Sequence, residues 1–183
     1  EELAPAQLAG LAEKLVPRGN IGVAYTYNEP LISYEWVLDC CKAVRALGLL
    51  NAHVTNGMIL EEPLKALLPY TDAMNIDLKG FTQNFYDWVG GDLETVKNAI
   101  RVSARACHVE VTTLVIPGMN DDPGEMRREA EWLASLDPAI PLHITRFFPR
   151  HKVMDRPPTP IETIDRLATV ARESLHNVFL GNC

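Results

Sequence analysis

Hydrophobic and polar positions along the chain follow two periods. Short runs rich in β-branched residues predict strands, and longer stretches with apolar residues every three or four positions predict amphipathic helices between them. The predicted strands are Ile21–Thr26, Asn51–Thr55, Ala73–Lys79, His108–Ile116, Leu142–Phe147 and Asn177–Leu180. The predicted helices are Pro5–Val16, Leu31–Leu47, Glu62–Leu68, Asp92–Arg105, Pro123–Leu136 and Ile161–Leu175. This alternation predicts β/α units and a parallel sheet.

Two of the helix starts carry capping patterns. Thr159-Pro160-Ile161-Glu162 has the form of a capping box with proline at the first helical position. Asp122-Pro123-Gly124-Glu125 has the same arrangement with Asp as the cap. Because the sequence shows no internal repeat, low-complexity tract or linker, we expect residues 1–183 to form a single domain.

The polarity of the strand faces distinguishes two kinds of parallel sheet. Five or six β/α units are too few for a closed eight-stranded barrel, which leaves a doubly wound sheet or an open partial barrel. In the third predicted strand, Asn75, Asp77 and Lys79 share one face, and Ile76 and Leu78 share the other. A strand of a doubly wound sheet is covered, and therefore apolar, on both faces. We therefore predict an α/β fold with a partial, open TIM-like β/α barrel and a polar concave side.

Composition and charge exclude several classes of partner. With 47% apolar and 22% charged residues, the chain resembles a folded domain and not a disordered one. The net charge is −7 and the longest basic run is Arg127-Arg128, so no nucleic-acid-binding surface is expected. No apolar run approaches the roughly 18 to 20 residues of a membrane span, and no secretory pattern begins the chain. We expect a cytoplasmic protein.

The cysteines Cys40, Cys41, Cys107 and Cys183 show no zinc-like spacing. Cys40 falls in register with the apolar positions of its predicted helix, so the pattern favours a buried core thiol. Disulfides are not expected in the compartment inferred above.

Polar residues collect at the carboxyl ends of the predicted strands, where parallel β/α folds bind their ligands. They are Tyr27-Asn28-Glu29, Thr55-Asn56-Gly57, Asp77 with Lys79, Pro117–Asp122 and Arg146–His151. Few of them are nucleophiles, and the chain has no G-x-S-x-G elbow, Walker A loop or Gly-rich dinucleotide fingerprint. This set predicts a site for a polar, zwitterionic small molecule.

Five motifs in a fixed order resemble those of radical S-adenosylmethionine (SAM) enzymes. They are A-Y-T-Y-N-E-P, V-T-N-G, N-I-D-L-K-G, V-I-P-G-M-N-D and R-F-F-P, from about residue 20 to the C-terminus. The resemblance is closest to the AmmeMemoRadiSam-system protein of the pyruvate formate-lyase activating enzyme-like group. It implies an oxidoreductase with a [4Fe–4S] cluster that cleaves SAM reductively to methionine and a 5′-deoxyadenosyl radical for hydrogen abstraction. It leaves open whether the hydrogen donor is a protein, such as a glycyl radical enzyme, or another substrate.

The same resemblance implies roles for individual residues. Tyr27-Asn28-Glu29-Pro30 stands where the family has G-G-E-P, so Glu29 would bind the methionyl ammonium of SAM. Thr55 and Asn56 match the T-N-G segment, and Asp77 and Lys79 match a D-x-K pair near the ribose and the SAM carboxylate. His151 matches a SAM-contacting His, and Thr112 replaces a SAM-binding Arg, so that contact is expected to be altered. The expected SAM-binding residues are Tyr27, Asn28, Glu29, Thr55, Asn56, Asp77, Lys79, Thr112 and His151.

The chain departs from the family at its defining motif. C-x-x-x-C-x-x-C, which ligates the cluster, is absent, and none of the four cysteines can replace three closely spaced thiolates. The motif belongs after the first barrel strand, upstream of Glu1. We therefore expect a C-terminal portion that lacks the first β/α unit and is inactive by itself. We also expect an unpaired edge near Ile21–Thr26 that favours self-association.

Other interpretations remain open at this point. A metal-dependent hydrolase or lyase on a similar barrel would use His53, Asp77, His108 and His143 as ligands. A non-catalytic SAM-binding or docking module would lack the cysteine triad in its whole gene. Glu29 could also serve only as a first-turn carboxylate at a helix N-terminus, and the Asp77 and Lys79 side chains could form a structural pair.

Overall fold

The computed structural model describes residues 3–183, in which helices alternate with strands. The strands are β1 (Gly22–Tyr25), β2 (Leu50–Thr55), β3 (Ala73–Asp77), β4 (His108–Val115), β5 (Leu142–Arg146) and β6 (Val178–Gly181). The α-helices are α1 (Pro5–Lys14), α2 (Tyr34–Ala46), α3 (Glu61–Leu67), α4 (Gln83–Val89), α5 (Leu93–Ser103), α6 (Pro123–Leu136) and α7 (Ile161–Ala171). Short 3-10 helices occupy Val16–Arg18, Pro30–Ser33 and Leu68–Tyr70.

The strands lie in one sheet in the order β1-β2-β3-β4-β5-β6. The pairs β1–β2, β2–β3, β4–β5 and β5–β6 are parallel, with Tyr25 opposite His53 and Val111 opposite Leu142. Strand order that follows the sequence without reversal is typical of TIM-like barrels, whereas a doubly wound sheet reverses its order part-way. The predicted fold class, an open α/β sheet of the TIM-like type, is confirmed.

All six predicted strands are present, with ends that differ from the predictions by at most two residues. The predicted helix Leu31–Leu47 instead starts as the 3-10 helix Pro30–Ser33 and continues as α2. The sequence analysis did not predict α4, in which Phe85 and Tyr86 are buried.

One of the two predicted helix caps is confirmed and the other is wrong. Asp122 Oδ2 accepts a hydrogen bond from Glu125 N–H at 2.8 Å and caps α6. Thr159 does not cap α7, whose N-cap is Pro160. Its hydroxyl instead donates to Val115 O at 2.6 Å and accepts from Phe147 N–H at 3.0 Å. Thr159 is fully buried between the ends of two strands, where unpaired backbone groups attract it more strongly than the helix does.

The chain divides into two compact units. The first unit contains the chain up to Ile76 together with Asn98–Val109, and the second contains Asp77–Lys97 and Glu110–Cys183. The core of the first unit includes Cys40 and Cys41, which α2 packs against β1 and α3. Cys40 is fully buried, so the prediction of a core thiol is confirmed.

The core of the second unit includes Phe85, Ile116 and Phe147, with Met119 and Val153 packed against them. The predicted alternation of faces is present on the strands: in β4, Val109, Val111 and Thr113 are buried, while the residues between them keep part of their surface exposed. Among the helices of residues 3–183, none is long and apolar enough to cross a membrane.

Candidate functional site

In the first unit, the segment after β1 turns sharply before the 3-10 helix. A cis peptide bond joins Tyr27 to Asn28, and Tyr27 has a φ of 24°. Positive φ is uncommon for residues other than glycine, so Tyr27 keeps a backbone conformation that suits a glycine of G-G-E-P. The Tyr27 side chain is 93% exposed. Tyr27 therefore contributes backbone to this turn, and its phenol points into solvent.

Glu29 joins this turn to the loop that follows β2. Its Oε1 accepts hydrogen bonds from Leu31 N–H at 3.1 Å and from the Thr55 hydroxyl at 2.7 Å. Its Oε2 accepts from Asn56 N–H at 2.7 Å. The structure thus brings together Glu29, Thr55 and Asn56, as the sequence predicted from two separate motifs.

The Glu29 carboxylate also caps the 3-10 helix Pro30–Ser33, which agrees with a structural role at a helix N-terminus. That role gives the carboxylate no cationic partner. The three donors are neutral, and among residues 3–183 no cationic side chain pairs with Glu29. A carboxylate offers about four acceptor positions, so one remains for a further donor.

A cavity of about 470 Å³ opens beside the Glu29 turn. Glu29, Asn28 and Ser33 supply polar groups to its wall, and Leu8 and Trp36 supply apolar surface. Its volume lies within the range of sites that bind small molecules. Asn28 Oδ1 accepts from Glu29 N–H at 3.0 Å, which helps to fix the turn at the mouth of this cavity.

His53 is buried on β2, two residues before Thr55 and on the same face, and it is not available to a ligand. Its ring stacks on Tyr25 at 5.0 Å, and its Nε2 lies 3.2 Å from the Thr71 hydroxyl and 3.7 Å from Cys41 Sγ. Burial lowers the pKa of His53 to about 4, so the ring is neutral at physiological pH. Nδ1 has no hydrogen-bond partner in the described part of the chain.

The other histidines do not assemble a metal site either. His143 Nε2 lies 2.7 Å from Glu110 Oε2, and its ring stacks on Phe179. Within residues 3–183, no three His, Cys, Asp or Glu side chains form a group that could hold a metal ion. The ligand set that the metal-dependent interpretation needs is therefore not brought together.

In the second unit, Asp77 and Lys79 follow one another at the end of β3. Lys79 Nζ lies 2.8 Å from Asp77 Oδ2, and both side chains keep over a third of their surface exposed. The pair predicted as a structural possibility is thus present. The Lys79 backbone is fixed from both sides, because its N–H donates to Tyr86 Oη at 3.1 Å and its carbonyl accepts from Asn120 Nδ2 at 2.8 Å.

Asn120 is a positioning residue that the sequence identified only as part of a turn. It is 3% exposed. Its Nδ2 donates to Lys79 O and to Leu114 O, and its Oδ1 accepts from Ile116 N–H at 2.7 Å. All three bonds reach backbone groups at the ends of β3 and β4, so Asn120 holds these ends in register. The P-G-M-N-D order in the sequence was the only available signal.

Two further predicted SAM-binding residues, Thr112 and His151, lie on β4 and in the loop after β5. Thr112 lies on a partly exposed position of β4, opposite His143 in the pairing with β5. His151 is exposed in the turn closed by the Arg150–Val153 bridge and has a φ of 53°. No hydrogen bond joins His151 to another residue of the described chain. Their predicted contacts with SAM remain predictions.

The cysteines do not fit a [4Fe–4S] cluster. Cys40 and Cys41 are buried in the first core, Cys107 is half-buried and Cys183 is exposed. Burial raises the pKa of the Cys41 thiol to about 11, which opposes the thiolate form that ligation requires. These four cysteines are therefore not placed to ligate a cluster.

Comparison with known proteins identifies the family. Residues 1–130 match the radical SAM superfamily. The chain belongs to the radical SAM superfamily. The superfamily uses SAM and an iron–sulfur cluster, which agrees with the resemblance found in the motifs.

Curated relatives of this radical SAM chain are longer than it is. An uncharacterized protein of Methanocaldococcus jannaschii is 38% identical over 164 residues, which cover 88% of this chain and 49% of that protein. The (2S)-3-sulfopropanediol dehydratase activating enzyme of Klebsiella oxytoca is 27% identical over 119 residues, or 63% of this chain and 37% of that enzyme. The chain spans about half the length, or less, of the curated relatives it matches.

Solved structures share the fold. A domain of pyruvate-formate lyase-activating enzyme from Bacteroides vulgatus superposes with a TM-score of 0.73 at 24% identity, covering 88% of this chain and 99% of that chain. A radical SAM methyltransferase from Sphaerobacter thermophilus gives a TM-score of 0.68 at 15% identity, covering 96% and 55%. These likenesses show that the chain shares its fold with radical SAM proteins.

Proposed function

We propose that this chain is the SAM-binding portion of a radical SAM enzyme of the activating-enzyme type, in which Glu29 binds the methionyl ammonium group. The observation that carries the proposal is the state of Glu29. Three neutral donors fix its carboxylate, and no cation in residues 3–183 neutralises it. An ammonium ion supplies both the missing hydrogen-bond donor and the missing charge.

The fit extends to the surroundings of the carboxylate. Glu29 is half-buried, so a charge-assisted hydrogen bond to it is screened less than one on an exposed side chain. The donors are backbone N–H groups and the buried Thr55 hydroxyl, which keep the carboxylate in one orientation before the ligand arrives. Preorganisation of this kind favours binding because little side-chain freedom is lost.

SAM supplies a 5′-deoxyadenosyl group for hydrogen abstraction once a [4Fe–4S] cluster reduces it, and cysteines outside this chain would hold that cluster. Asp77 and Lys79 are proposed to contact the ribose and the SAM carboxylate. We propose that Asn56 orients the Glu29 carboxylate through its backbone N–H. Tyr27 and Asn28 are proposed to shape the turn before Glu29 with their backbone. Contacts of Thr112 and His151 with SAM remain proposals from the resemblance alone.

The direct test is isothermal titration calorimetry of SAM binding to the chain and to Glu29→Gln. We expect binding to weaken by about 1 to 3 kcal/mol, because Gln loses the charge that the ammonium requires. Exposed Glu13 on α1 offers a matched control, since Glu13→Gln removes the same charge from a distant surface position.

A second ligand separates the ammonium contact from a general disturbance of the loop. 5′-Methylthioadenosine has the adenosine part of SAM but neither ammonium nor carboxylate. Its affinity should be the same for Glu29→Gln as for the unchanged chain. Equal SAM affinity in both proteins would overturn the assignment, and an equal loss for both ligands would assign Glu29 a purely structural role.

The proposal has four further parts. They are the activity of the whole protein, a protein substrate such as a glycyl radical enzyme, a cytoplasmic location, and self-association through the β1 edge. β1 stands at one end of the strand order, which supports the last of these. A non-catalytic SAM-binding module is the second candidate, because the contacts of Glu29 would serve SAM binding in either kind of protein. It predicts SAM binding by Glu29 but no cysteine triad anywhere in the gene.

A further inference from the structure

His53 is a buried ionisable group that the proposed ligand contacts do not use. The residue is 1% exposed. Two residues further along β2, the Thr55 hydroxyl donates to Glu29 Oε1 at 2.7 Å, and the N–H of Asn56 donates to Glu29 Oε2 at the same distance. A movement of β2 at His53 therefore reaches two of the three donors that hold the Glu29 carboxylate.

The contacts of the His53 ring within residues 3–183 are with neutral groups. From β1, the ring of Tyr25 stacks on the imidazole at 5.0 Å, and from α2, Cys41 Sγ lies 3.7 Å from Nε2. The Thr71 hydroxyl, ahead of β3, lies 3.2 Å from the same nitrogen, and Met74 on β3 is paired with His53. Burial raises the pKa of the Cys41 thiol to about 11 and also raises the pKa of the Tyr25 phenol, so both groups stay neutral near pH 7.

The charged groups of the same network already form a pair. Arg45 Nη2 lies 2.9 Å from Asp72 Oδ1, while Asp72 Oδ2 accepts a hydrogen bond from Asn51 N–H at 2.8 Å. Tyr25 Oη donates to Asn51 Oδ1 at 3.1 Å, which links this pair to the ring beside His53. In the part of the chain that the structure describes, no carboxylate lies in hydrogen-bond contact with His53. A protonated ring there would have no counter-ion.

The hydrogen bonds of His53 also oppose the protonated ring. A protonated imidazole donates from both nitrogens, yet Nδ1 is buried and has no hydrogen-bond partner in residues 3–183. Protonation in the closed structure would leave a buried N–H unpaired and a buried charge without compensation, and both are costly. Burial lowers the pKa of His53 to about 4, which agrees with this geometry. Protonation therefore favours conformations in which the ring reaches water.

We propose that His53 is an acid-sensitive switch, whose protonation opens β2 locally and withdraws the Thr55 and Asn56 donors from Glu29. The sign follows from the lowered pKa: the stabilising contribution of the neutral ring is complete above about pH 6.5 and is lost as pH falls toward 4. The expected consequence for the ligand, a weaker affinity for SAM in acid, rests on the proposed function of Glu29. The opening itself does not.

The test is amide hydrogen exchange of the chain, followed by NMR at about pH 7.5 and pH 5 and corrected for the intrinsic pH dependence of exchange. For a pKa of 6.5 in the open form and about 4 in the closed form, the opening equilibrium rises about 25-fold between these pH values. The protection of the Asn56 N–H should fall by the same factor. The Ile116 N–H of the second unit, which donates to Asn120 Oδ1, should lose no protection.

Two variants assign the effect to His53. His53→Phe keeps an aromatic ring against Tyr25 but never ionises, so the protection of the Asn56 N–H should be the same at both pH values. His176→Gln removes an exposed imidazole and should behave like the unchanged chain. Thermal unfolding shows whether each variant is folded, and His53→Leu takes the place of His53→Phe where the larger ring is not accommodated.

Three results would overturn the proposal. The first is a protection of the Asn56 N–H that does not change with pH in the unchanged chain. The second is an equal fall in the His53 variant, which would assign the effect to protonation of Glu29 itself. The third is an equal fall at Ile116, which would mean that acid unfolds the whole chain. Because no SAM is present, the outcome is independent of the ligand assigned to Glu29.

Discussion

Glu29 in the first unit and Glu129 in the second each lie within hydrogen-bond distance of a threonine hydroxyl, at 2.7 Å and 2.6 Å. Their surroundings differ. Glu29 is half-buried and receives two backbone N–H groups in addition to Thr55. Glu129 is 1% exposed and contacts Thr113, whose hydroxyl is also 2.8 Å from Leu78 O. Both glutamates contact a threonine hydroxyl, but only Glu29 also accepts hydrogen bonds from backbone N–H groups.

Burial, together with the hydrogen-bond donors that are available, sets the protonation state of Glu129. Thr113 has one hydroxyl proton, and Leu78 O can only accept, so the proton of Thr113 goes to Leu78. Glu129 must then carry its own proton and donate it to Thr113 Oγ1. Burial, with a smaller contribution from Glu125, raises the pKa of Glu129 to about 8, which agrees with this count. The Glu29 carboxylate, by contrast, only accepts hydrogen bonds.

A hydrogen bond between a glutamate and a threonine therefore does not by itself determine whether the carboxyl group is charged or neutral. Where donors outnumber acceptors, the carboxylate keeps its charge and can bind a cation. Where a buried acceptor competes for the one hydroxyl proton, the carboxyl group stays neutral and contributes to packing. Glu29 is placed to bind a ligand, whereas Glu129 packs on the buried face of α6.

The largest expected effect concerns pH. Glu129 is protonated in the folded chain up to about pH 8, whereas an ordinary carboxyl in the unfolded chain ionises near 4.5. Its contribution to stability is complete below pH 4.5 and is lost as pH rises through 8. Between pH 5 and pH 8 the free energy of unfolding should fall by about 3 kcal/mol from this group. Urea unfolding at several pH values measures it.

Glu129→Gln should remove this pH dependence, because Gln keeps a donor for Thr113 and never ionises. The matched control is Glu131→Gln on the same helix, where the side chain is exposed. Parallel profiles for Glu129→Gln and the unchanged chain would show that Glu129 is not the titrating group.

A pair of threonine substitutions tests the comparison at the other partner. Thr113→Val leaves the Glu129 hydroxyl and Leu78 O buried without partners, so we expect a loss of about 2 kcal/mol at pH 5. Thr55→Val leaves Glu29 two backbone donors and some access to water, so about 1 kcal/mol is expected. Urea unfolding of both variants at one pH gives the difference. Equal losses would mean that the extra donors at Glu29 do not matter.

The smallest expected effect lies at a third carboxylate, Asp77, which its neighbour Lys79 already neutralises. Because over a third of each side chain is exposed, Asp77→Asn should cost about 0.5 kcal/mol or less. The loss should shrink further at 1 M salt, where exposed charges are screened. A loss above 2 kcal/mol, independent of salt, would show that the Asp77–Lys79 pair contributes substantially to the stability of the fold.

Much of the candidate site could be predicted from the sequence because its residues follow strands that are visible in the hydrophobic pattern. Glu29 and the T-N-G loop end neighbouring strands, and adjacent parallel strands bring such ends together. Asn120 and Thr159 could not be assigned in this way. Their partners are backbone groups far along the chain, such as Lys79 O and Val115 O, and periodicity says nothing about contacts of that kind.

By itself the sequence determined the order of strands and helices, the polar face of β3 and the motifs of the radical SAM superfamily. These depend on short-range periods and on residue identity, which need no knowledge of distant neighbours. Only the tertiary structure decided that Glu29 is surrounded by hydrogen-bond donors and that Glu129 is buried and protonated. The donors around Glu29 and the burial of Glu129 come from parts of the chain that lie far apart in sequence.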